Sequence, residues 1–188
     1  MMNQDMIEQG IKLLLRGFGE DLTREGIVET PKRAAKMYLE LLEGMNYTNE
    51  QIAEMFGKSF EVDTSQMVVV KDIETFSMCE HHLALMYDMN ISVGYIPNGK
   101  VIGLSKIPRI AEMCCKRLQL QEKIGEDIAE VISIATGSED VIVHITAKHS
   151  CVTARGIKSR GSNTVTTTKK GRFTSDYDLT REFIESLK

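Results

Sequence analysis

Three features of this 188-residue sequence predict an α+β fold organised around antiparallel hairpins. Apolar residues recur at helical spacing near the N-terminus, again between Ser105 and Gly137, and once more in the tail. From Met67, and again from Asp140, the period changes to the alternation of strands with one buried face. The resulting order is helices, two strands, two helices, further strands and a terminal helix. That is the order of an α+β chain, not of repeated βα units.

Ile7, Ile11, Leu14, Leu15 and Phe18 form one face of a first amphipathic helix that ends near Gly19. Thr30 as N-cap and Pro31 at the first helical position open a second. Its packing face is Ala34, Met37, Tyr38, Leu41 and Met45, with Arg33 and Lys36 opposite on a solvated face. Thr48 and Gln51 make a capping box for a short helix closed by Gly57. Val68 to Val70 reads as a strand, and Met89, Ile91, Val93 and Tyr95, alternating with Asn90, Ser92 and Gly94, as a second. Pro97-Asn98-Gly99 is a turn that sends the chain back through Lys100 to Leu104 as a hairpin. Ser105 then caps a helix carrying Ile107, Ile110, Ala111, Cys114 and Leu118, with Pro108 tolerated in its first turn. Ile124, Ile128, Val131 and Ile132 mark a further helix stopping at Gly137. Asp140 to Lys148 is strand-like. Val152 to Lys158 and Ser162 to Lys170 are expected to pair around Ser159-Arg160-Gly161, and Leu179 to Leu187 is helical.

A net charge of −4 gives no global attraction to nucleic acid, so any polyanion site must be local. The first residues lack the basic start and apolar block of a signal peptide, and no long apolar run exists. The sequence therefore predicts a soluble cytoplasmic protein with neither a nucleic-acid nor a membrane partner. In a reducing compartment its four cysteines form no disulfide framework. Cys114 and Cys115 lie in a helical pattern as packing residues, whereas Cys79 and Cys151 stand beside histidines.

The segments Cys79-Glu80-His81-His82 and His149-Ser150-Cys151 concentrate the soft ligands of the chain. Cys79 and His82 can meet one ion from a turn, and Cys151 can complete a three-ligand site with an open fourth position, the arrangement of catalytic zinc. The same spacing allows a closed structural site with His81 or His149 as fourth ligand, although no C-x-x-C knuckle is present. Two thiolates and an imidazole favour zinc over magnesium or calcium, and zinc lowers the pKa of a bound water to about 7. In an extended chain His149 and Cys151 share one side of a strand, so His149, like His81, is a candidate acid/base group. His144, off the motif, is expected to be structural.

Ser105 and Lys106 at a helix start, with Arg109 one turn on, combine backbone N–H groups, a helix dipole and cations, the elements of an anion site. Arg155 follows Cys151 by four residues and could add to it. Taken singly, each of these charges is better read as lying on a solvated face. Glu122 at a helix opening complements the dipole, or accepts N–H groups from a guanine edge.

Cys-Glu-His-His at 79, Gly-Tyr-Ile-Pro at 94, Gly-Leu-Ser-Lys-x-x-Arg at 103, Gln-x-Gln-Glu at 119, His-x-Cys-x-x-x-Arg-Gly at 149 and Thr-Pro-x-Arg-x-Ala-x-Met-Tyr at 30 resemble, in order, the motifs of the zinc-dependent GTP cyclohydrolase I family. The resemblance implies a tunnelling fold, an antiparallel sheet with helices on one face, preceded by an N-terminal helical extension. On it, residues 1–188 form a single domain, with 1–60 helical and 61–188 the catalytic region. Sheets would join into a barrel, two pentameric rings would stack into a homodecamer, and active sites would lie between subunits. The implied reaction takes GTP and water to 7,8-dihydroneopterin triphosphate and formate, the first step of tetrahydrofolate and pterin synthesis. By motif, Cys79, His82 and Cys151 match the zinc (Zn2+) ligands, and His81, His149 and Ser105 the catalytic residues. Gln121 and Glu122 match guanine recognition, and Lys106, Arg109, Arg155, Arg33 and Lys36 the ribose-triphosphate contacts.

The sequence departs from the family pattern in two places. Leu83 to Met89 lacks the usual glycine and is slightly long, and Lys123 follows Gln-Glu where Arg is usual. Two rival readings are a tunnelling-fold nitrile reductase of queuosine synthesis, which would use NADPH and a nucleophilic cysteine without this zinc set, and a non-catalytic zinc- or nucleotide-binding scaffold.

Overall fold

The computed structural model describes all residues, 1–188. Helices α1 (Gln4–Gly17), α2 (Thr30–Leu41) and α3 (Asn49–Phe56) precede the short strand β1 (Ser59–Glu61). Two long strands, β2 (Val68–Cys79) and β3 (Ala84–Tyr95), are followed by β4 (Lys100–Ile102), α4 (Lys106–Cys115), β5 (Leu118–Gln119) and α5 (Gln121–Thr136). The chain ends with β6 (Val141–His149), the single turn α6 (Ser150–Thr153), β7 (Thr164–Lys169) and α7 (Tyr177–Ser186).

The main sheet has the order β5-β2-β3-β6-β7, antiparallel except where β5 runs parallel to β2. Its inward residues, among them Ile73, Met89, Ile91, Val93, Tyr95, Val143 and Ile145, pack with Ile107, Ile110 and Cys114 of α4 and Ile124, Ile128 and Ile132 of α5. Each fully buried aliphatic side chain of this kind contributes about 1.5–3 kcal/mol relative to exposure. A smaller cluster of Ile96, Ile142, Phe173 and Phe183 lies apart from it. Phe183 seats directly over Gly94, where a Cβ would lie 2.6 Å from its ring. The expected α+β class, with helices on one face and a helical N-terminal region, is the class observed.

Local signals held at several ends. The capping box of Thr48 and Gln51 is present, and Gly137 closes α5 at φ +70°. Cys114 and Cys115 are fully buried, and burial pushes the Cys114 thiol up to about 12 and Cys115 well above its usual value, so both remain packing thiols.

Other expectations are corrected. Glu29, not Thr30, is the N-cap of α2, and its side chain makes no cap bond. Pro31, Ala35 and Leu42 are buried there, while Met37 and Met45 are exposed, because the packed face of α2 runs through positions i, i+4 and i+11 from Pro31. Lys100 to Ile102 does form a strand, β4, after the Pro97 turn, but it pairs with β1 and makes no hairpin with β3. Leu118 leaves the helix to form β5 beside Met78. The last hairpin joins β6 to β7, and Val152 to Lys158 contributes no strand. The stretch after the His-His pair is the start of β3, entered through Leu83 at φ +50°. The left-handed backbone at this position costs a side chain with a β-carbon roughly 1 kcal/mol, which is the strain a glycine would avoid.

His144 proves structural: on β6, its Nδ1 lies 3.0 Å from the Thr167 hydroxyl across the β6–β7 ladder. Burial pushes its pKa below the ordinary 6.5. The unfolded chain therefore takes up the proton first as pH falls, and stability present near neutrality is lost as pH drops through about 6.5 and below. Thermal unfolding is expected at a lower temperature at about pH 5.5 than at about pH 7.5. A His144→Gln chain should show a smaller difference between the two, and an unchanged difference would assign the effect elsewhere.

Candidate active site

Sheet register assembles the site. Cys79 ends β2 and pairs with Gln119 of β5, so Gln121, two residues on, begins α5 next to the turn Glu80 to Leu83. Across β3, Met86 pairs with His149, the last residue of β6. Immediately after it, α6 is tied to β3, where the Ser150 hydroxyl donates to the Leu85 carbonyl at 2.7 Å and the Thr153 and Tyr87 hydroxyls lie 3.0 Å apart. Cys151 thus reaches the turn from a helical turn, not from the extended strand expected, and it does not share a strand face with His149.

The candidate ligand atoms of Cys79, His82 and Cys151 all lie within 4.8 Å of one another. Cys79 Sγ is 4.0 Å from His82 Nδ1. Sulfur and nitrogen ligands on one tetrahedral zinc stand about 3.6 Å apart, from bond lengths of about 2.3 and 2.0–2.1 Å. The Cys79–His82 pair is therefore within a few tenths of an ångström of that geometry, Cys151 lies within 4.8 Å of both, and the soft donors of the set fit zinc. Burial, with the Cys79 sulfur adding to it, pushes the Cys151 thiol above its usual pKa. A coordinated metal reverses that order, because a ligating thiol is deprotonated outright.

His149 and Gln121 flank this set. Burial lowers the pKa of His149, and the Glu122 carboxylate pulls it part of the way back. Glu122 itself is exposed in the first turn of α5. Gln121 is 1% exposed, and its amide is held by protein partners, including His149 Nε2 at 2.8 Å from its Oε1. Sequence periodicity carried no sign of this bond, since a buried glutamine at a helix start looks like an ordinary polar N-terminal residue. His81 projects from the turn, its side chain 61% exposed and its Nε2 3.9 Å from the Glu80 carboxylate. Arg155 Nη1 lies 3.1 Å from His82 Nε2, so one of the expected cations does stand at the metal turn.

The remaining expected contacts lie elsewhere. Ser105 flanks α4 without a side-chain cap bond. The last turn of α4 meets β2, where the Ser77 hydroxyl donates to the Cys115 carbonyl at 2.7 Å. The ten residues of α4 span about 15 Å, so Ser105 and Lys106 lie a helix length from that contact with β2, and Arg109 is one turn nearer to it. Arg33 and Lys36 are exposed on α2. Lys123 makes ion pairs within the chain, 3.0 Å to Asp127 and 3.4 Å to Glu126.

Fold and site together define an α+β subunit with a Cys-His-Cys metal-binding set beside a carboxylate-flanked histidine. The family model for GTP cyclohydrolase I matches residues 7–188. GTP cyclohydrolase 1 of Clostridium acetobutylicum is 53% identical over 187 residues, covering 97% of this chain and 96% of that protein. That of Clostridium botulinum (strain Kyoto / Type A2) is 55% identical over 176 residues, covering 90% of each, and that of Ruminiclostridium cellulolyticum is 52% identical, covering 97% of each. Among solved structures, the archaeosine synthase QueF-Like in the apo form overlays 59% of this chain and 97% of its own at a TM-score of 0.44 and 17% identity, too slight a likeness to carry an argument. The chain belongs to the GTP cyclohydrolase I family. That membership sets aside the reductase reading.

Proposed function

We propose that the chain is a zinc-dependent GTP cyclohydrolase I, converting GTP and water to 7,8-dihydroneopterin triphosphate and formate at the entry to tetrahydrofolate and other pterins. The observation that carries the reading is the meeting of Cys79, His82 and Cys151 with His149 and the α5 start of the same chain. Zinc held by those three ligands supplies a Lewis acid that brings water to ionisation near neutral pH.

The chain's own residues do the rest. Glu122, open to solvent, accepts two N–H groups from the guanine edge and fixes the base. His149 takes up a proton and delivers it to N7, which weakens the imidazole ring of the base as C8 is attacked. Glu122 helps here twice, since its charge offsets part of the burial that disfavours the imidazolium. His81 and Ser105 assist opening and rearrangement of the ribose. Lys106, Arg109, Arg155, Arg33 and Lys36 hold the triphosphate, whose binding energy orients the reacting base.

The separation of Ser105 and Lys106 from the contact of α4 with β2 supports sites shared between copies, one protomer contributing its α4 start and another its metal turn. A homodecamer of two pentameric rings, with sheets joined into a barrel, meets that need. β7 is an outer strand of the sheet. α1 has no buried residue and leaves Leu13, Leu14 and Phe18 exposed. With Tyr38, Leu42, Leu83 and Leu118, α1 lines an apolar groove of about 380 Å³ that a neighbour could cover. No helix is long and apolar enough to cross a membrane. Residues 1–188 act on this reading as one cytoplasmic catalytic unit, without nucleic-acid or membrane partners.

Incubation of the purified protein with GTP tests the reading, following formate and the pterin chromophore before and after chelation of metal. Turnover should vanish on chelation and return with zinc. Equal turnover in both states would end the zinc-dependent reading, and the absence of formate in both would favour the scaffold.

A further inference from the structure

We propose that Gln121 is a positioning residue for His149, holding the imidazole as its Nε2–H tautomer so that Nδ1 is the nitrogen left to exchange protons. The inference rests on the reading of His149 as the proton carrier and adds which nitrogen does the work and what sets it.

The amide of Gln121 has only one orientation that satisfies its surroundings. Its Nε2 lies 3.2 Å from each of the Ile145 carbonyl, the Thr164 carbonyl and the Thr166 hydroxyl. Carbonyl oxygens only accept, so the NH2 end must face them, and a flipped amide would set oxygen against two carbonyls in a buried site. Oε1 is therefore the atom 2.8 Å from His149 Nε2. A carbonyl oxygen at that distance demands an N–H, which places the ring proton of the neutral imidazole on Nε2 and the lone pair on Nδ1.

The same bonds explain the precision of the arrangement. The amide bridges α5 to β6 through Ile145 and to β7 through Thr164 and Thr166, so the ring of His149 is oriented against three elements at once. They also engage the whole NH2 group, so the side chain has no N–H left to donate to the guanine base. Donors to the substrate from the Gln-Glu segment would be the first-turn backbone N–H groups of α5, with Glu122 as its charged acceptor.

A neutron crystal structure of the zinc-loaded protein tests the tautomer without any assay. Deuterium on His149 Nε2 facing Gln121 Oε1 is expected; a bare Nε2 facing a flipped amide would overturn the proposal. In kinetics, Gln121→Met should lower kcat about 10- to 100-fold, the usual effect of losing an orienting partner, with KM for GTP unchanged. Gln121→Glu, which keeps an acceptor oxygen, should recover part of kcat and serves if the methionine variant folds poorly. A raised KM with unchanged kcat in either variant would instead assign the side chain to the base, and unchanged kcat and KM in both would leave it only structural. Failure of the underlying reading would show separately, as full turnover by a His149→Ala chain.

Discussion

A His149→Ala chain is expected to turn over GTP about 10²- to 10⁴-fold more slowly than the parent, the range for loss of a placed proton carrier, while holding zinc at the parent's stoichiometry. The metal should stay because the ligand atoms that converge are those of Cys79, His82 and Cys151. His149 points its Nε2 instead at Gln121. Fold should stay as well, since the ring is only partly buried and Met86, its register partner, remains packed in the core. A Cys151→Ala chain gives the contrast, losing metal and turnover together. Zinc content measured beside formate release therefore separates the two roles. Loss of zinc in His149→Ala would return the site to the closed four-ligand arrangement that spacing alone left open, and a parental rate would remove His149 from proton transfer.

The difference between these residues was only half legible in the sequence. Spacing brought Cys79 and His82 together, because a three-residue offset in a turn is a local property. The approach of Cys151 depends on α6, which Ser150 and Thr153 anchor to β3 by side-chain bonds that no periodicity records. Strand lengths were hidden for a related reason. β2 continues from Val70 to Cys79 through a register shift at Asp72, whose φ of +59° breaks the alternation, and β3 starts before Met89 through a second irregularity with Asp88 at φ +49°. Polar residues at bulges read as loop when only the period is followed. Helices were recovered more fully, since caps such as Thr48 and Gly137 are chosen by local backbone needs. Ser105 and Lys106 illustrate the opposite limit. Their motif marks an anion site, yet their distance from the contact of α4 with β2 follows from the length of α4.

Replacing Arg117 by Met is expected to destabilise the chain by about 3–5 kcal/mol, the range for breaking a buried ion pair from one side. The guanidinium is 14% exposed and its partner Asp127 5%. From this one side chain, Nε donates to the Gly44 carbonyl, Nη2 to the Tyr47 carbonyl, and Nη1 to Asn49 Oδ1 at 2.8 Å and to Asp127 Oδ2 at 2.7 Å. It thereby fastens the segment between α2 and α3 to α5, and no hydrophobic neighbour can replace a fork with that many bonds. Asp127 keeps Lys123 at 3.0 Å, so its charge is not wholly orphaned and the loss should fall toward the lower figure. A loss of about 3 kcal/mol in a chain of this size lowers Tm by roughly 6–12 °C, read at matched protein concentration. Arg117→Lys should recover little, because an ammonium cannot span the two backbone carbonyls and the carboxylate together. If Lys restored the parental Tm, charge alone would suffice and the fork geometry would be irrelevant. An Arg117→Met, Asp127→Leu double variant should be less damaged than the sum of its single changes, as expected where the main penalty is a carboxylate left buried without its fork.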